Sequence, residues 1–324
     1  MARALVMSGG GSKGAYAVGV AKVLVNEGGL DFDVVCGTST GGLVAPFVVA
    51  NRIDLAETFY TSVRTEDILT FRSTSQILKA SSLASYRPLY LKIQEVVGDI
   101  GVAVRTSSSQ LFITATRLQD RNPVFFHTGV APHGTDALVL ESIPDDETLT
   151  LAMLATASVP GIAPPVDIGE YQYVDGGVRE NTPLAIPVAM GIDEIWVILL
   201  SPQTSPIEDK RYNTLLAVLG RTADTLTTDV SQHDVGAVAQ AAELEKLFEG
   251  AANAISHDTT LTAAQVREYL VAANPRLGAL AGAAFHVIGP EEPLTDNVMD
   301  FKPAKMQEML ARGEADARVA LGGG

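Results

Sequence analysis

The sequence predicts an α/β fold with a mainly parallel sheet, and two strand–helix units near its start carry this prediction. The apolar strand Ala4–Met7 leads into a glycine-rich loop and then a helix from Ala15 to about Glu27. A second strand, Phe32–Cys36, leads into a sharp turn and the apolar run Leu43–Ala50, which has the length of a helix. Consecutive units of this kind place their strands side by side and parallel, so the loops after both strands meet at one edge of the sheet.

Composition limits the class of protein and of partner. With 324 residues, of which 47% are hydrophobic and 19% are charged, the chain can bury a large core. The formal net charge of −15 disfavours nucleic acid as a partner and gives no long-range attraction to an anionic membrane. Any transient contact with a membrane surface would therefore have to be apolar or local. The single cysteine, Cys36, lies in a predicted strand and is expected to be a core residue.

No targeting or membrane-spanning segment is expected. The first residues contain no apolar stretch long enough for a signal peptide. The most apolar later run, Leu184–Leu200, is interrupted by Pro187, Asp193 and Glu194. We therefore expect a soluble, cytoplasmic protein.

The turn after the second strand presents a candidate nucleophile. Gly37, Ser39 and Gly41 form a Gly-x-Ser-x-Gly motif between the strand and the following helix. A serine at such a turn projects beyond the sheet, and small flanking residues leave room for a substrate. The motif alone is equally compatible with a structural turn, so the role of Ser39 depends on other residues.

The loop after the first strand has two interpretations. Gly9, Gly11 and Gly14 satisfy the dinucleotide-binding pattern Gly-x-Gly-x-x-Gly, with Asp31 and Asp33 near the position of a ribose-binding acid. Backbone amides at a helix N-terminus bind other anions too, and a tetrahedral oxyanion suits them as well as a pyrophosphate does. The loop alone does not decide between the two. A Walker-type phosphate loop is excluded because no Lys-Ser or Lys-Thr follows Gly14.

A carboxylate further along the chain is a candidate base. Asp175 lies between a short predicted strand, which ends at Val174, and the pair Gly176–Gly177. An acid in this position is commonly an ordinary turn residue. In a dry pocket beside a serine hydroxyl it would instead act as a base, because burial raises a carboxyl pKa from about 4.

Four motifs of this sequence, in their order and spacing over about residues 4–200, resemble those of the patatin-like phospholipase family. The matching segments are Gly9–Gly14, Gly37–Gly41, Ala157–Gly161 with Pro164–Pro165, and Asp175–Gly177. The resemblance implies a three-layer α/β/α sandwich around a mainly parallel sheet. It also implies hydrolysis of carboxylic esters of lipids, of the phospholipase A type, without a metal or a cofactor.

The resemblance implies a role for each site residue. Ser39 would be the nucleophile and Asp175 the base of a dyad without histidine, acting on a lipid or acyl ester through an acyl-serine intermediate. Gly37 and Gly41 would shape the turn that carries the nucleophile. Lys13 stands where many relatives carry arginine, which keeps a positive charge near the glycine loop. The oxyanion hole would consist of Gly9, Gly10, Gly11, Ser12, Lys13 and Gly14, its donors being the amides of Gly10, Gly11 and Ser12.

The remaining chain is expected to complete one domain. Residues 1–324 are interpreted as a single catalytic domain, with a core of about 4–200 plus 284–321 and a helical cap or insertion at about 205–283. Further predicted elements are helices at 54–63, 88–97, 147–158 and 303–321, a hairpin of 110–117 with 123–127, and strands at 193–201 and 284–288.

Two segments have open roles. A helix from Lys210 to about Gly250 has a broad apolar face, formed by Leu215, Leu216, Val218, Leu219, Leu226 and Val230. This face is predicted to belong to the core, with a cap or a membrane contact as the alternative. The segment Phe71–Tyr86 is predicted to be a mobile surface loop, with a cover over the site as the alternative.

Two other functions remain open from the sequence. In an α/β-hydrolase triad, the base would have to be His233, His257 or His286. The nucleophile of that fold normally follows several strands, whereas Ser39 follows two predicted strands. A nucleotide-binding or non-catalytic protein would use the Gly9–Gly14 loop alone, and Asp175 would have no function in it.

Overall fold

The computed structural model describes residues 1–202, 211–258, 262, 264–266, 268–269, 283–295 and 297–322. Its strands are β1 (Arg3–Met7), β2 (Val34–Thr38), β3 (Thr70–Phe71), β4 (Ala84–Ser85), β5 (Gln110–Arg117), β6 (Pro123–His127), β7 (Val139–Ser142), β8 (Val166–Ile168), β9 (Tyr171–Asp175), β10 (Glu194–Ile198) and β11 (Ala284–Ile288). Its α-helices include α1 (Gly14–Lys22), α2 (Thr40–Val49), α3 (Ile53–Ser62), α4 (Thr65–Ile68), α5 (Thr74–Ile77), α6 (Arg87–Thr106), α7 (Asp146–Thr156), α8 (Ala185–Ala189), α9 (Leu215–Asp258) and α10 (Pro303–Ala320).

One large sheet organises the described residues. Its strand order is β11-β10-β1-β2-β5-β6-β7, while β9 pairs with β5 and β8 pairs with β9. Strand β1 is parallel to both of its neighbours, so that Leu5 lies opposite Trp196 of β10 and Val35 of β2. The pairs β2-β5, β10-β11 and β6-β7 are also parallel, whereas β5-β6, β5-β9 and β8-β9 are antiparallel. The predicted mainly parallel sheet and the predicted hairpin of β5 and β6 are confirmed.

Apolar side chains cover both faces of this sheet. Alternate residues of a strand point to opposite faces, and in β1 Leu5 and Met7 belong to one apolar cluster while Ala4 and Val6 belong to another. Residues of α1, α2, α3, α6, α7 and α10 complete the first cluster, and residues of α8 join the second. The α/β/α arrangement is therefore confirmed. Cys36 is buried in the second cluster, as predicted.

Helix α6 and strand β7 are among the elements that differ from the sequence prediction. Helix α6 continues beyond the predicted end at Val97, because Ile100 and Val104 extend its buried face by two further turns. Strand β7 was not predicted: it is short and its side chains are partly exposed, so its apolar pattern is weak.

The segment Phe71–Tyr86 differs from a plain loop. It contains helix α5 and the small antiparallel pair of β3 and β4. The amides of Leu83 and Ala84 donate hydrogen bonds to the carbonyls of Gly161 and Ile162. These bonds fix the end of the segment beside the Ala157–Gly161 motif.

The C-terminal elements return to the core. Strand β11 pairs with β10, and α10 packs against α1. Of the predicted insertion, α9 is described over 44 residues, whereas residues 205–210 and 270–282 lie outside the described residues. Within the described ranges, no helix combines the length and the apolar character that crossing a bilayer requires.

Candidate active site

Ser39 occupies a strained turn between β2 and α2. Its backbone angles are φ 53° and ψ −125°, a region that residues other than glycine rarely adopt and that costs about 1–3 kcal/mol. The amide of Ser39 donates a 2.7 Å hydrogen bond to the hydroxyl of Thr156, at the end of α7. The Thr156 hydroxyl in turn donates to the carbonyl of Thr114 in β5. The strained turn is thus held from α7 and the sheet.

Gly37 and Gly41, which flank the Ser39 turn, have no room for a side chain. A Cβ atom on Gly37 would overlap the carbonyl of Gly41, and one on Gly41 would overlap the carbonyl of Met7 in β1. The motif therefore lets α2 begin directly against the ends of β1 and β2. This packing leaves the Ser39 side chain at the carboxyl edge of the sheet, as the sequence predicts.

The Ser39 hydroxyl contacts the carboxylate of Asp175. Ser39 Oγ donates a 2.7 Å hydrogen bond to Asp175 Oδ2, and the amide of Gly177 donates a 2.8 Å hydrogen bond to Asp175 Oδ1. The Asp175 amide donates to the carbonyl of Ser158 at 2.9 Å. The last bond gives the Ala157–Gly161 motif a structural role, since it anchors the strand end that carries the acid.

Burial changes the acidity of Asp175. The side chain is 3% exposed, and this desolvation raises the pKa of Asp175 to about 6. The hydrogen bonds from Ser39 and Gly177 stabilise the carboxylate and offset part of the rise. At neutral pH Asp175 is therefore mainly ionised, and it is a stronger base than an exposed aspartate.

The glycine loop offers fewer amide donors than its sequence suggests. The Gly9 amide donates to the carbonyl of Asn181, and the Ser12 amide donates to the carbonyl of Val298. The amides of Lys13 and Gly14 both close turns within the loop. The expected role of Ser12 as an oxyanion donor therefore needs correction, because its backbone amide already donates to the carbonyl of Val298.

The amides of Gly10 and Gly11 differ from those four. Neither donates to any group in the part of the chain that the structure describes. Both residues line the same cavity as Ser39 and Asp175. These two amides are consequently the loop donors that an oxyanion could use.

Lys13 also differs from the expectation. Its side chain is 6% exposed, and Nζ lies 2.7 Å from Ser201 Oγ and 2.9 Å from Asp224 Oδ1. Asp224 belongs to α9. The charge of Lys13 is thus neutralised in a partly buried ion pair that joins the glycine loop to α9, and is not left free beside the loop.

Ser39 and Asp175 open onto an apolar cavity of about 330 Å³. Its described walls include Leu43, Phe59, Ile68, Leu89, Ile162, Met299 and Phe301. Helix α9 forms its roof, with contributions from Leu219, Leu226 and Val230. Half of the predicted core face of this helix therefore lines the cavity, and Leu226 is 59% exposed. Val218 does not line the cavity, and the side chains of Leu215 and Leu216 lie outside the described residues.

Polar contacts hold α9 over the cavity. Asn181 Nδ2 donates a 2.7 Å hydrogen bond to Ser231 Oγ, and the Thr182 amide donates a 2.9 Å hydrogen bond to Asp234 Oδ2. Burial raises the pKa of Asp234 to about 6. Since the carbonyl of Asn181 also accepts from Gly9, the same residue binds both the glycine loop and the roof.

The geometry opposes the dinucleotide interpretation. Asp33 accepts a hydrogen bond from the amide of Arg3, which begins β1. The glycine loop follows the other end of β1. Asp33 therefore lies at the opposite edge of the sheet from the loop, where it cannot bind the ribose of a nucleotide whose phosphates the loop holds.

The geometry gives no support to a histidine base either. His286 stacks on Trp196 in the middle of β10, and His233 Nδ1 lies 2.8 Å from the carbonyl oxygen of Asp229 on α9. No histidine is among the described residues that line the cavity. The side chain of His257 lies outside the described residues.

Sequence reasoning missed three residues of this site: Thr156, Asn181 and Tyr86. Thr156 directly precedes the Ala157–Gly161 motif, and this position is the one feature of the sequence that indicates a role for Thr156. Tyr86 lines the cavity from the end of the segment that was interpreted as a loop. In the described ranges, no group of three or more His, Cys, Asp or Glu side chains converges as metal ligands would.

The fold and the site together define an α/β protein with a serine–aspartate pair at the carboxyl edge of its sheet, beside a glycine loop. The family model of the patatin-like phospholipases matches residues 5–188, more than half of the chain. The chain therefore belongs to the patatin-like phospholipase family, and the resemblance inferred from its motifs is confirmed.

Individual relatives are distant. Uncharacterized NTE family proteins of Mycobacterium bovis and Mycobacterium tuberculosis are 24% identical over 219 residues, which is 67% of this chain and 54% of theirs. The chain thus spans about half the length of the curated relatives it matches. Among solved structures, that of VipD from Legionella pneumophila has a TM-score of 0.48 and 12% identity, covering 99% of this chain and 67% of that one.

Proposed function

We propose that this protein is a lipid acyl hydrolase that cleaves carboxylic esters through a Ser39–Asp175 dyad. The observation that carries the proposal is the 2.7 Å hydrogen bond from Ser39 Oγ to Asp175 Oδ2. It joins a nucleophile to a buried base without an intervening histidine. The unpaired amides of Gly10 and Gly11 border the same cavity, which is the arrangement that acyl transfer requires.

The first half-reaction follows from these contacts. Asp175 accepts the proton of Ser39 as Oγ attacks the carbonyl carbon of the ester. The negative charge that develops on the carbonyl oxygen accepts hydrogen bonds from the amides of Gly10 and Gly11. Asp175 then returns the proton to the oxygen of the leaving alcohol, which departs and leaves an acyl-Ser39 ester.

The second half-reaction uses the same groups with water as the nucleophile. Asp175 takes a proton from the water as its oxygen attacks the acyl carbon, and the amides of Gly10 and Gly11 again stabilise the oxyanion. Asp175 then protonates Ser39 Oγ as the acid is released. The dyad returns to its initial state without a metal or a cofactor.

The cavity supports a lipid ester as substrate. Its walls are mostly apolar, and burial of an acyl chain contributes about 0.8 kcal/mol per CH₂ group. Val178 and Leu226 line the cavity and are 45% and 59% exposed. These two side chains would contact a membrane or micelle surface transiently, with α9 as the cap of a single catalytic domain.

A fluorophosphonate probe tests the proposal. We expect one adduct, on Ser39, because an activated serine attacks phosphorus and the Gly10 and Gly11 amides bind the resulting oxyanion. Mass spectrometry of proteolytic fragments identifies the modified residue. Protein denatured before treatment is the control and should carry no adduct. A folded protein that is modified elsewhere, or not at all, would contradict the dyad.

Ester hydrolysis should depend on pH through Asp175. Because the pKa of Asp175 is about 6, we expect kcat/KM to fall about tenfold per pH unit below pH 6 and to level off above pH 7. Only the ionised carboxylate can accept the Ser39 proton. Initial rates between pH 4.5 and 8 would measure this acidic limb.

Asp234 provides a matched control for the pH profile, since burial raises its pKa to the same value, about 6. The Asp234→Asn variant should retain the acidic limb of the wild-type protein. If the fall of kcat/KM below pH 6 disappeared in that variant, the titrating group would be Asp234, which joins α9 to Thr182, and not Asp175 of the dyad.

A further inference from the structure

Tyr86 is a buried residue whose hydroxyl has no hydrogen-bond partner among the residues that the structure describes. Its side chain is 6% exposed and lines the cavity together with Ser39 and Asp175. Its hydroxyl forms no hydrogen bond with any residue that the structure describes. The hydroxyl itself keeps accessible surface, although the residue as a whole is buried. A ligand in the cavity that Tyr86 lines can therefore supply the hydrogen-bond partner that the described residues do not.

A second tyrosine of the same cavity provides the contrast. Tyr60 is 1% exposed, and its hydroxyl forms a 2.6 Å hydrogen bond with the hydroxyl of Thr40. Asp224, another polar group of the cavity wall, is paired with Lys13. The protein thus satisfies these neighbouring polar side chains internally, whereas no described residue pairs with the hydroxyl of Tyr86.

Tyr86 and Asp175 line the same cavity. Burial and the negative charge of Asp175 raise the pKa of Tyr86, so its hydroxyl stays protonated at neutral pH and acts as a donor. During acylation the leaving oxygen must come within hydrogen-bond distance of Asp175, because it receives its proton there. A donor that lines the same cavity and is influenced by the charge of Asp175 can meet the same oxygen.

We propose that Tyr86 is a catalytic residue, whose hydroxyl donates a hydrogen bond to the oxygen of the leaving alcohol. This inference rests on the proposed ester hydrolysis. The proton of Ser39 passes through Asp175 to the leaving oxygen as the bond between that oxygen and the acyl carbon breaks. Tyr86 keeps its own proton throughout and stabilises the negative charge that grows on the leaving oxygen.

The test compares two esters of the same fatty acid in the Tyr86→Phe variant. A glyceryl ester has a poor leaving group and needs the hydrogen bond, whereas a p-nitrophenyl ester does not. We expect kcat/KM to fall about 10- to 100-fold for the glyceryl ester and less than about threefold for the p-nitrophenyl ester. The thermal midpoint should stay unchanged or rise, because the substitution removes no hydrogen bond of the folded protein.

The Tyr60→Phe variant is the matched control. It should change kcat/KM for both esters by the same factor and should lower the thermal midpoint, because Thr40 loses its partner. Three results for Tyr86→Phe would each overturn the role of Tyr86: equal losses of kcat/KM for the two esters, no loss for either ester, or a lowered thermal midpoint. None of them would affect the proposed function. A wild-type protein that hydrolyses neither ester would instead overturn the proposed function and this inference with it.

Discussion

Replacement of Ser39 by alanine is expected to lower ester hydrolysis by at least about 10⁴-fold, because no other group can form the acyl intermediate. The variant should remain folded, since alanine fits wherever serine does. It loses the hydrogen bond to the Asp175 carboxylate, which costs about 1–3 kcal/mol of unfolding free energy. Release of fatty acid from a micellar ester, together with a thermal unfolding curve, measures both effects.

Ser82→Ala is the control for this variant. Ser82 is also a buried serine, but its hydroxyl donates to the carbonyl of Ala84 and does not line the cavity. The control should retain the wild-type rate. A Ser39→Ala protein that works within tenfold of the wild-type rate would exclude acyl-Ser39 as an intermediate.

Replacement of Asp175 by asparagine is expected to lower kcat/KM by about 10³- to 10⁴-fold and, at the same time, to stabilise the protein. The activity falls because an amide cannot accept the Ser39 proton. The stability rises because ionised Asp175 is disfavoured by burial: its pKa of about 6 in the folded state lies above the ordinary 3.8. At pH 7 the gain is about 1–3 kcal/mol, reduced by any weakening of the bonds to Ser39 and Gly177.

The sign of this stability effect follows from proton binding. Between pH 4 and pH 6 the folded wild-type protein binds more protons at Asp175 than the unfolded chain does, so this group favours unfolding increasingly as the pH rises. The difference between the variant and the wild-type protein should therefore vanish below about pH 4. Urea unfolding at pH 4 and pH 7 measures it. A variant that is less stable at pH 7 and equally active would show that Asp175 has only a structural role.

The sequence predicted the parts of the site that short motifs encode. Ser39 and Asp175 each lie at a strand end with adjacent glycines, and such turns are recognisable because their backbone geometry restricts the residues allowed. The parallel order of β1 and β2 followed from the strand–helix spacing. These features depend on neighbours in the chain, so one sequence is sufficient to find them.

The remaining features depend on distant contacts. Which loop amides stay free is decided by Val298 and Asn181, whose carbonyls bind Ser12 and Gly9. The charge of Lys13 is neutralised by Asp224 from another helix. An apolar helix face has the same periodicity whether it covers a core or a cavity, so the position of α9 could not be inferred from its pattern.

The roof of the cavity comes from Leu219–Val230 of α9, beyond the residues 5–188 that match the family. The dyad and its amide donors all lie before Gly177. On the proposed function, part of the surface that holds the acyl chain is therefore encoded beyond the matched segment, while Leu43, Phe59 and Leu89 of the same cavity lie within it. Family members compared over the matched region alone would therefore be compared without the helix that covers the cavity in this protein.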